Sequence, residues 1–191
     1  DRPFLRHCGN VCVLSVLMGL KLDFYLMRER TRLSGIAAKD VGALGVGAMF
    51  HDIGMTRMPD QTHSAARFTP EDREVLRSQP REGARLLLRQ GDRFETAAVV
   101  AYEHHLRKDG SGYPRLSYPR APHRLSEVVA VCDAFDALLA TRPDRPALDP
   151  ATALRQLERS AVTQFDAEVV SALGAVVLGG SAPGGLPLTV R

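Results

Sequence analysis

Apolar residues recur at three- and four-residue intervals along most of this chain, which is the pattern of helices that bury one face. These intervals predict helices over residues 7–18, 23–33, 39–50, 69–78, 81–89, 94–105, 125–140, 149–160 and 166–178. The apolar and polar alternation typical of β-strands does not appear in the sequence. We therefore predict an all-α fold, a helical bundle in which Gly19 and Pro80 separate neighbouring helices.

Several helix starts carry local signals. Thr69 precedes a proline and two acidic residues, an arrangement typical of an N-cap followed by the first helical turn. Asp149 stands before Pro150 in the same way, and Asp166 precedes the last apolar segment. The final residues, 179–191, are rich in glycine and proline, so we expect a domain over 1–178 followed by a tail or linker.

Composition narrows the class of protein. The 191 residues are 45% hydrophobic and 25% charged, and the formal net charge is +3, as in an ordinary globular domain. Aromatic residues make up 6% with no tryptophan, which argues against stacking on a nucleic-acid polymer. The chain opens at Asp1 rather than methionine, so we expect a domain excised from a longer, multidomain chain.

Two further features indicate the compartment. The three cysteines, Cys8, Cys12 and Cys132, lie in apolar runs without zinc-type spacing, which favours buried free thiols in a cytoplasmic protein. The longest apolar run, 11–20, is too short to span a bilayer, and we expect no membrane contact by this domain.

Imidazoles and carboxylates mark candidate chemistry. Adjacent pairs, His51-Asp52 and His104-His105, end two predicted helices, and Asp133 lies in a strongly apolar segment. Each feature alone has a structural explanation: a helix end, or a buried aspartate satisfied by backbone or arginine. Together with His7 they form a mixed nitrogen and oxygen set without thiolate, which favours iron or manganese over structural zinc. One aspartate bridging two ions would create a two-metal site that activates water against a phosphate ester.

The order of short motifs is similar to that of a known family. The motifs that carry the resemblance are His51-Asp52-Ile53-Gly54, Met58-Pro59-Asp60, His104-His105, Asp109-Gly110-Ser111-Gly112-Tyr113-Pro114, Asp133 to Leu138 with Arg142-Pro143, and Thr163 to Asp166. They resemble the signature of the HD-GYP family, the branch of the HD phosphohydrolase superfamily that hydrolyses the bacterial second messenger cyclic di-GMP. The resemblance runs from His7 to about Leu178.

The resemblance implies a role for each matching position. The first metal ion would be held by His7, His51, Asp52 and Asp133. The catalytic carboxylate, Asp52, would bridge to a second ion held by His104 and His105. The substrate would contact Tyr113 in the loop that also contains Asp109, Gly112 and Pro114, and its phosphate would contact Arg142.

Departures from the family pattern open alternatives. Met55 replaces a phosphate-binding lysine, for which the nearby Arg57 is a candidate substitute. Gln79 replaces a histidine ligand of the second ion, which predicts a weaker second site. The expected lysine-proline-glycine is missing near 65–67, and Leu106 replaces a glutamate. Three functions remain open: a cyclic di-GMP phosphodiesterase, a non-catalytic module that binds cyclic di-GMP or a signalling protein through Gly112-Tyr113-Pro114, and a hydrolase of another phosphoester.

Overall fold

The computed structural model describes residues 2–29, 36–59, 69–118, 120–142 and 145–179, with side chains from residue 3 to 22 and from 41 onward. Within these ranges the chain forms α-helices, two short 3-10 helices and no strand. The α-helices are α1 (Arg2–Glu29), α2 (Ile36–Phe50), α3 (Pro70–Leu88), α4 (Glu95–Glu103), α5 (Arg124–Leu139), α6 (Pro150–Ser160) and α7 (Ala167–Val177). The predicted all-α fold is confirmed.

The predicted break at Gly19 is wrong, because α1 runs through it without interruption. A Cβ atom at Gly19 would lie 2.8 Å from Cδ2 of Leu44 on α2. Gly45 of α2 comes equally close to α1, where its Cβ would lie 3.1 Å from Val16. These glycines therefore mark the place where two helices approach closely, and the helix propensity they cost is offset by that packing.

The predicted break at Pro80 is also wrong. α3 contains Pro80 in its interior, and the proline is buried. Proline has no backbone N–H, so the carbonyl of residue 76 loses its usual helical partner. The buried face of α3 around Pro80, made by Gln79, Gly83 and Leu87, packs against the rest of the fold and holds the helix together.

The predicted helix starts are confirmed. Thr69 and Asp72 form a capping box, in which the Thr69 side chain accepts from the backbone N–H of Asp72 and the Asp72 side chain accepts from that of Thr69. Asp149 caps α6 through the N–H of Thr152, and Asp166 caps α7. Local capping chemistry therefore fixes these helix ends.

The buried side chains form two clusters. The larger joins α1, α2, α5, α6 and α7, and includes Met18, Leu44, Phe135 and Leu173. The smaller joins α3 and α4 through alanines and Leu87, with Phe50 and Phe94 packed on its edge. Val100 of α4 belongs to the larger cluster, so α2 and α4 contact both clusters. The ends of α2 and α4 consequently lie between the clusters.

The three cysteines are free, with Cys8 and Cys132 buried, as predicted. One segment of α1, Pro3–Leu22, is long and apolar enough to cross a membrane by length and composition, with a mean hydropathy of 1.3. A predicted helix end at Gly19 hides this segment in the sequence, because it divides α1 into two shorter pieces. Core helices of globular folds meet the same criterion, and this segment contributes Val11 and Met18 to the larger cluster. The predicted tail lies outside the described residues apart from Gly179.

Candidate metal centre

The predicted metal ligands come together from separate parts of the chain. Two groups of ligand atoms, each within 4.8 Å of one another, share Asp52. The first group contains His7, His51 and Asp52, and the second contains Asp52, His104 and His105. This arrangement offers two neighbouring positions for cations with one carboxylate between them.

The rings of His51 and His104 are held in defined orientations by the helices that precede them. Nδ1 of His51 donates to the carbonyl of Ala48 at 2.7 Å, and Nδ1 of His104 donates to the carbonyl of Ala101 at 3.0 Å. Because a carbonyl only accepts, Nε2 is the free nitrogen in each neutral ring. These Nε2 atoms lie 3.7 Å and 3.5 Å from the two oxygens of Asp52.

These donor atoms fit a cation. The Nε2 atoms of His51 and His104 are buried and have no hydrogen-bond partner among the described residues. Buried polar atoms without partners are rare because each costs free energy, and one ion in each group would satisfy them. Backbone hydrogen bonds to the other ring nitrogen are also the usual way in which a ligating histidine is oriented.

His7 completes the first group from α1. Its Nε2 lies 3.3 Å from Oδ1 of Asp133 and 4.0 Å from Oδ2 of Asp52. Its Nδ1 donates to Oδ2 of Asp136 at 2.7 Å, while Asn10 donates to the other oxygen of Asp136 at 2.8 Å. The sequence analysis gave Asp136 no role. The three-residue interval between Asp133 and Asp136, which places both on one face of α5, was the available signal.

Charge is concentrated at this centre. Burial alone would lower the pKa of His7, but hydrogen bonds to Asp133 and Asp136 raise it to about 10. Burial would raise the pKa of Asp52, and the neighbouring His51 and His104 lower it instead. Without an ion, both ring nitrogens of His7 therefore carry a proton at neutral pH. An ion that binds to Nε2 of His7 must displace the proton on that nitrogen.

The Gly112-Tyr113-Pro114 loop folds back onto His105. The backbone N–H of Tyr113 donates to the carbonyl of His105 at 3.2 Å, and the two rings are 4.5 Å apart. A Cβ atom at Gly112 would overlap the carbonyl oxygen of His105, so only glycine fits there. Burial, first, and the neighbouring His104 lower the pKa of His105 to about 3, which leaves its ring neutral.

The other predicted substrate residues have different surroundings. Asp109 accepts hydrogen bonds from the backbone and hydroxyl of Ser111, which shapes the start of the loop. Arg142 pairs through its backbone with Arg145 and its side chain is exposed. Arg57 lines a separate surface cleft of about 380 Å³ with residues of α3, and none of the metal-ligand candidates lines that cleft.

Glu103, the residue before His104, is a buried carboxylate that the sequence analysis did not single out. It accepts hydrogen bonds from Arg120, from the backbone of His123 at 2.7 Å and from the hydroxyl of Ser126 at 3.0 Å. Its partners lie before and at the start of α5, so Glu103 joins the end of α4 to the segment that leads into the helix carrying Asp133. An acid among the apolar residues of α4 was the only signal for it.

Comparison with known proteins identifies the family. The family model of the HD domain matches residues 24–169. This chain belongs to the HD domain family. It is 35% identical over 141 residues to the cyclic di-GMP phosphodiesterase response regulator RpfG of Xanthomonas campestris, a match that covers 73% of this chain and 37% of that protein. It is 34% identical over 149 residues to a cyclic di-GMP phosphodiesterase of Thermotoga maritima, covering 73% and 40%.

A solved structure gives the same fold. Bd1817, an HDG"Y"P protein from Bdellovibrio bacteriovorus, has a TM-score of 0.70 to this chain at 21% identity, covering 92% of this chain and 52% of that one. The resemblance to the HD-GYP branch drawn from the motifs is confirmed. This chain spans about two fifths of the length of the two relatives named above.

Proposed function

We propose that this chain is a metal-dependent phosphodiesterase that hydrolyses cyclic di-GMP, to linear or mononucleotide products, in bacterial second-messenger signalling. The observation that carries the proposal is the pair of ligand groups that share Asp52. Relatives named as cyclic di-GMP phosphodiesterases support the choice of substrate. The domain over residues 1–178 would act inside a longer multidomain chain, in the cytoplasm.

The cofactor would be two divalent transition-metal ions, with iron or manganese preferred over zinc. The ligands would be His7, His51, Asp52 and Asp133 for the first ion, and Asp52, His104, His105 and Gln79 for the second. When bound, such a pair of ions supplies Lewis-acid activation of water and of a phosphate oxygen. The second site would be the weaker, because the amide of Gln79 is a poorer ligand than imidazole.

The surrounding residues would place the substrate. Tyr113, with Gly112 and Pro114, would line the substrate groove next to His105, onto which the Tyr113 ring packs. Arg142 is exposed and would bind a phosphate, and Arg57 would supply a second cation in place of the lysine absent at Met55. Asp109 would act through the loop, since it holds Ser111.

The test is hydrolysis by the metal-loaded protein. Cyclic di-GMP is incubated with the chain loaded separately with iron, manganese or nickel, and products are separated by chromatography. We expect turnover that Asp52→Asn abolishes. Asp92 is an exposed aspartate of the short 3-10 helix Asp92–Phe94, and Asp92→Asn should leave turnover unchanged. Absence of turnover with all three metals would contradict the proposal.

A second candidate is a non-catalytic module that binds cyclic di-GMP or a signalling protein through the Gly112-Tyr113-Pro114 loop. It is favoured by the hydrogen bond that Gln79 donates to Asp52, which occupies the shared carboxylate without an ion. Calorimetry that detects nucleotide binding unaffected by chelator, with no hydrolysis, would support it. A third candidate keeps the metal centre and changes the phosphoester, and a panel of nucleotides would separate it from the first.

A further inference from the structure

Gln79 is a buried polar residue at the edge of the second ligand group. Its side-chain Nε2 donates to Oδ1 of Asp52 at 2.8 Å and to the backbone carbonyl of His51 at 3.3 Å. The same Asp52 oxygen lies 3.5 Å from Nε2 of His104. The amide oxygen of Gln79 is buried and accepts no hydrogen bond from the part of the chain that the structure describes. One end of this amide therefore holds the shared carboxylate, and the other end has no partner there.

The backbone of Gln79 is packed tightly against Gly54. Gly54, two residues after Asp52, packs directly on α3, where a Cβ atom would overlap the carbonyl oxygen of Gln79 and lie 2.8 Å from the nitrogen of Gly83. Only the side-chain torsions of Gln79 remain adjustable. Rotation of the terminal amide by half a turn exchanges its oxygen and nitrogen at almost no change in volume.

We propose that Gln79 determines which ion the second group accepts, and this inference rests on the metal centre proposed above. In one orientation the amide N–H competes with an ion for Asp52, and in the other the amide oxygen becomes a ligand beside His104 and His105. Carbonyl oxygens suit manganese and magnesium, whereas zinc and nickel gain more from imidazole. The second group consequently prefers Mn²⁺ to Zn²⁺ relative to a site with histidine at this position.

The hydrogen bond also affects the affinity of the second group. An ion that binds there with the amide oxygen as a ligand must first displace the bond from Gln79 to Asp52. Changes of this kind next to a metal alter affinity by about 10- to 100-fold. Residue 79 therefore sets the ion concentration at which the second group fills.

The experiment measures bound ions rather than activity. Chelator-stripped protein is dialysed against a series of Mn²⁺ or Zn²⁺ concentrations, and ions per chain are counted by mass spectrometry. In the wild type we expect the ratio of Zn²⁺ to Mn²⁺ affinity at the second group to be lower than in a site with histidine at position 79. Gln79→His should strengthen the second Zn²⁺ by about tenfold or more, whereas Gln156→His, an exposed glutamine on α6, should behave as the wild type.

Two further variants separate the two roles of the amide. Gln79→Glu keeps the shape and adds a charged oxygen, so it should bind the second Mn²⁺ more tightly than the wild type. Gln79→Leu removes the competing N–H and the ligand oxygen together. Because coordination by the oxygen is the larger effect in this proposal, the second ion should bind more weakly. A second ion that binds more tightly to Gln79→Leu, or an unchanged Zn²⁺ to Mn²⁺ ratio in Gln79→His, would overturn the inference. The proposed phosphodiesterase would survive either result, whereas a chain that binds no ion would contradict both proposals.

Discussion

His7 on α1 and Asp136 on α5 are joined by a 2.7 Å hydrogen bond between Nδ1 and Oδ2. The bond fixes the ring so that Nε2 faces Asp52 and Asp133. Asn10 donates to the second oxygen of Asp136, which holds the carboxylate itself in place. The orientation of the first ligand thus depends on contact between two helices that are far apart in the sequence.

Asp136→Ala should weaken binding of the first ion by about 10- to 100-fold, because the His7 ring loses its orienting acceptor. Asp136→Asn retains an acceptor oxygen and should lose less. The measurement is calorimetric titration of chelator-stripped protein with Mn²⁺. Equal affinity in Asp136→Ala and the wild type would show that His7 is oriented without Asp136.

The glycine after the His51-Asp52 pair sets the distance between the first 3-10 helix (Ile53–Arg57) and α3. Gly54→Ala should destabilise the fold by about 3 kcal/mol or more, because its Cβ would overlap backbone atoms of Gln79 that cannot move aside. Gly42→Ala is the matched control, since a Cβ there meets nothing within 4 Å. On the exposed face of α2 it should stabilise by roughly 0.5–1 kcal/mol. Urea unfolding of both variants checks the difference, and similar midpoints would contradict it.

The success of the sequence analysis was greatest where the signal is local. Thr69, Asp149 and Asp166 cap the helices they were expected to start, because the capping bond joins residues two to three positions apart. The helix ends predicted at Gly19 and Pro80 are wrong. Both residue types break isolated helices, but α1 continues because it packs against α2, and α3 continues because it packs against the first 3-10 helix. Tertiary contacts decide such positions.

The same distinction holds at the candidate site. The ligands could be listed from their residue types, and the family resemblance supplied their grouping. The bond from His7 to Asp136 and the bond from Gln79 to Asp52 span 129 and 27 positions, so neither could be read from spacing. Residues that orient ligands need the fold before they can be found.

Asp166 provides a prediction of pH dependence away from the metal centre. It caps α7 and accepts a hydrogen bond from Lys108 at 2.7 Å. Burial would raise its pKa, but the bonds from Lys108, the backbone of Val169 and Arg124 lower it to about 2. Because the folded pKa lies below the unfolded value of about 3.9, the stabilisation is complete above that value and is lost as the pH falls towards 2.

Asparagine can still cap α7 but carries no charge for Lys108 and Arg124. Asp166→Asn should therefore destabilise the protein by about 1 kcal/mol at pH 7, and the difference from wild type should narrow between pH 4 and about pH 2. Urea unfolding at a series of pH values measures it. Asp92→Asn, an exposed aspartate without such partners among the described residues, should show no comparable change. A difference that stays constant down to pH 3 would mean that the charge of Asp166 does not contribute.

Removal of metal should lower the stability of the whole domain, because an ion that binds only the folded chain shifts the folding equilibrium. At a free ion concentration 100 times the dissociation constant the shift is about 2.7 kcal/mol. Thermal unfolding of the manganese-loaded protein should therefore begin at a lower temperature after chelation. Asp52→Asn removes the carboxylate shared by both groups and should unfold at nearly the same temperature with or without chelator. A wild-type protein whose unfolding temperature did not change with chelator would contradict this prediction. The buried Nε2 atoms of His51 and His104 would then have a partner other than an ion.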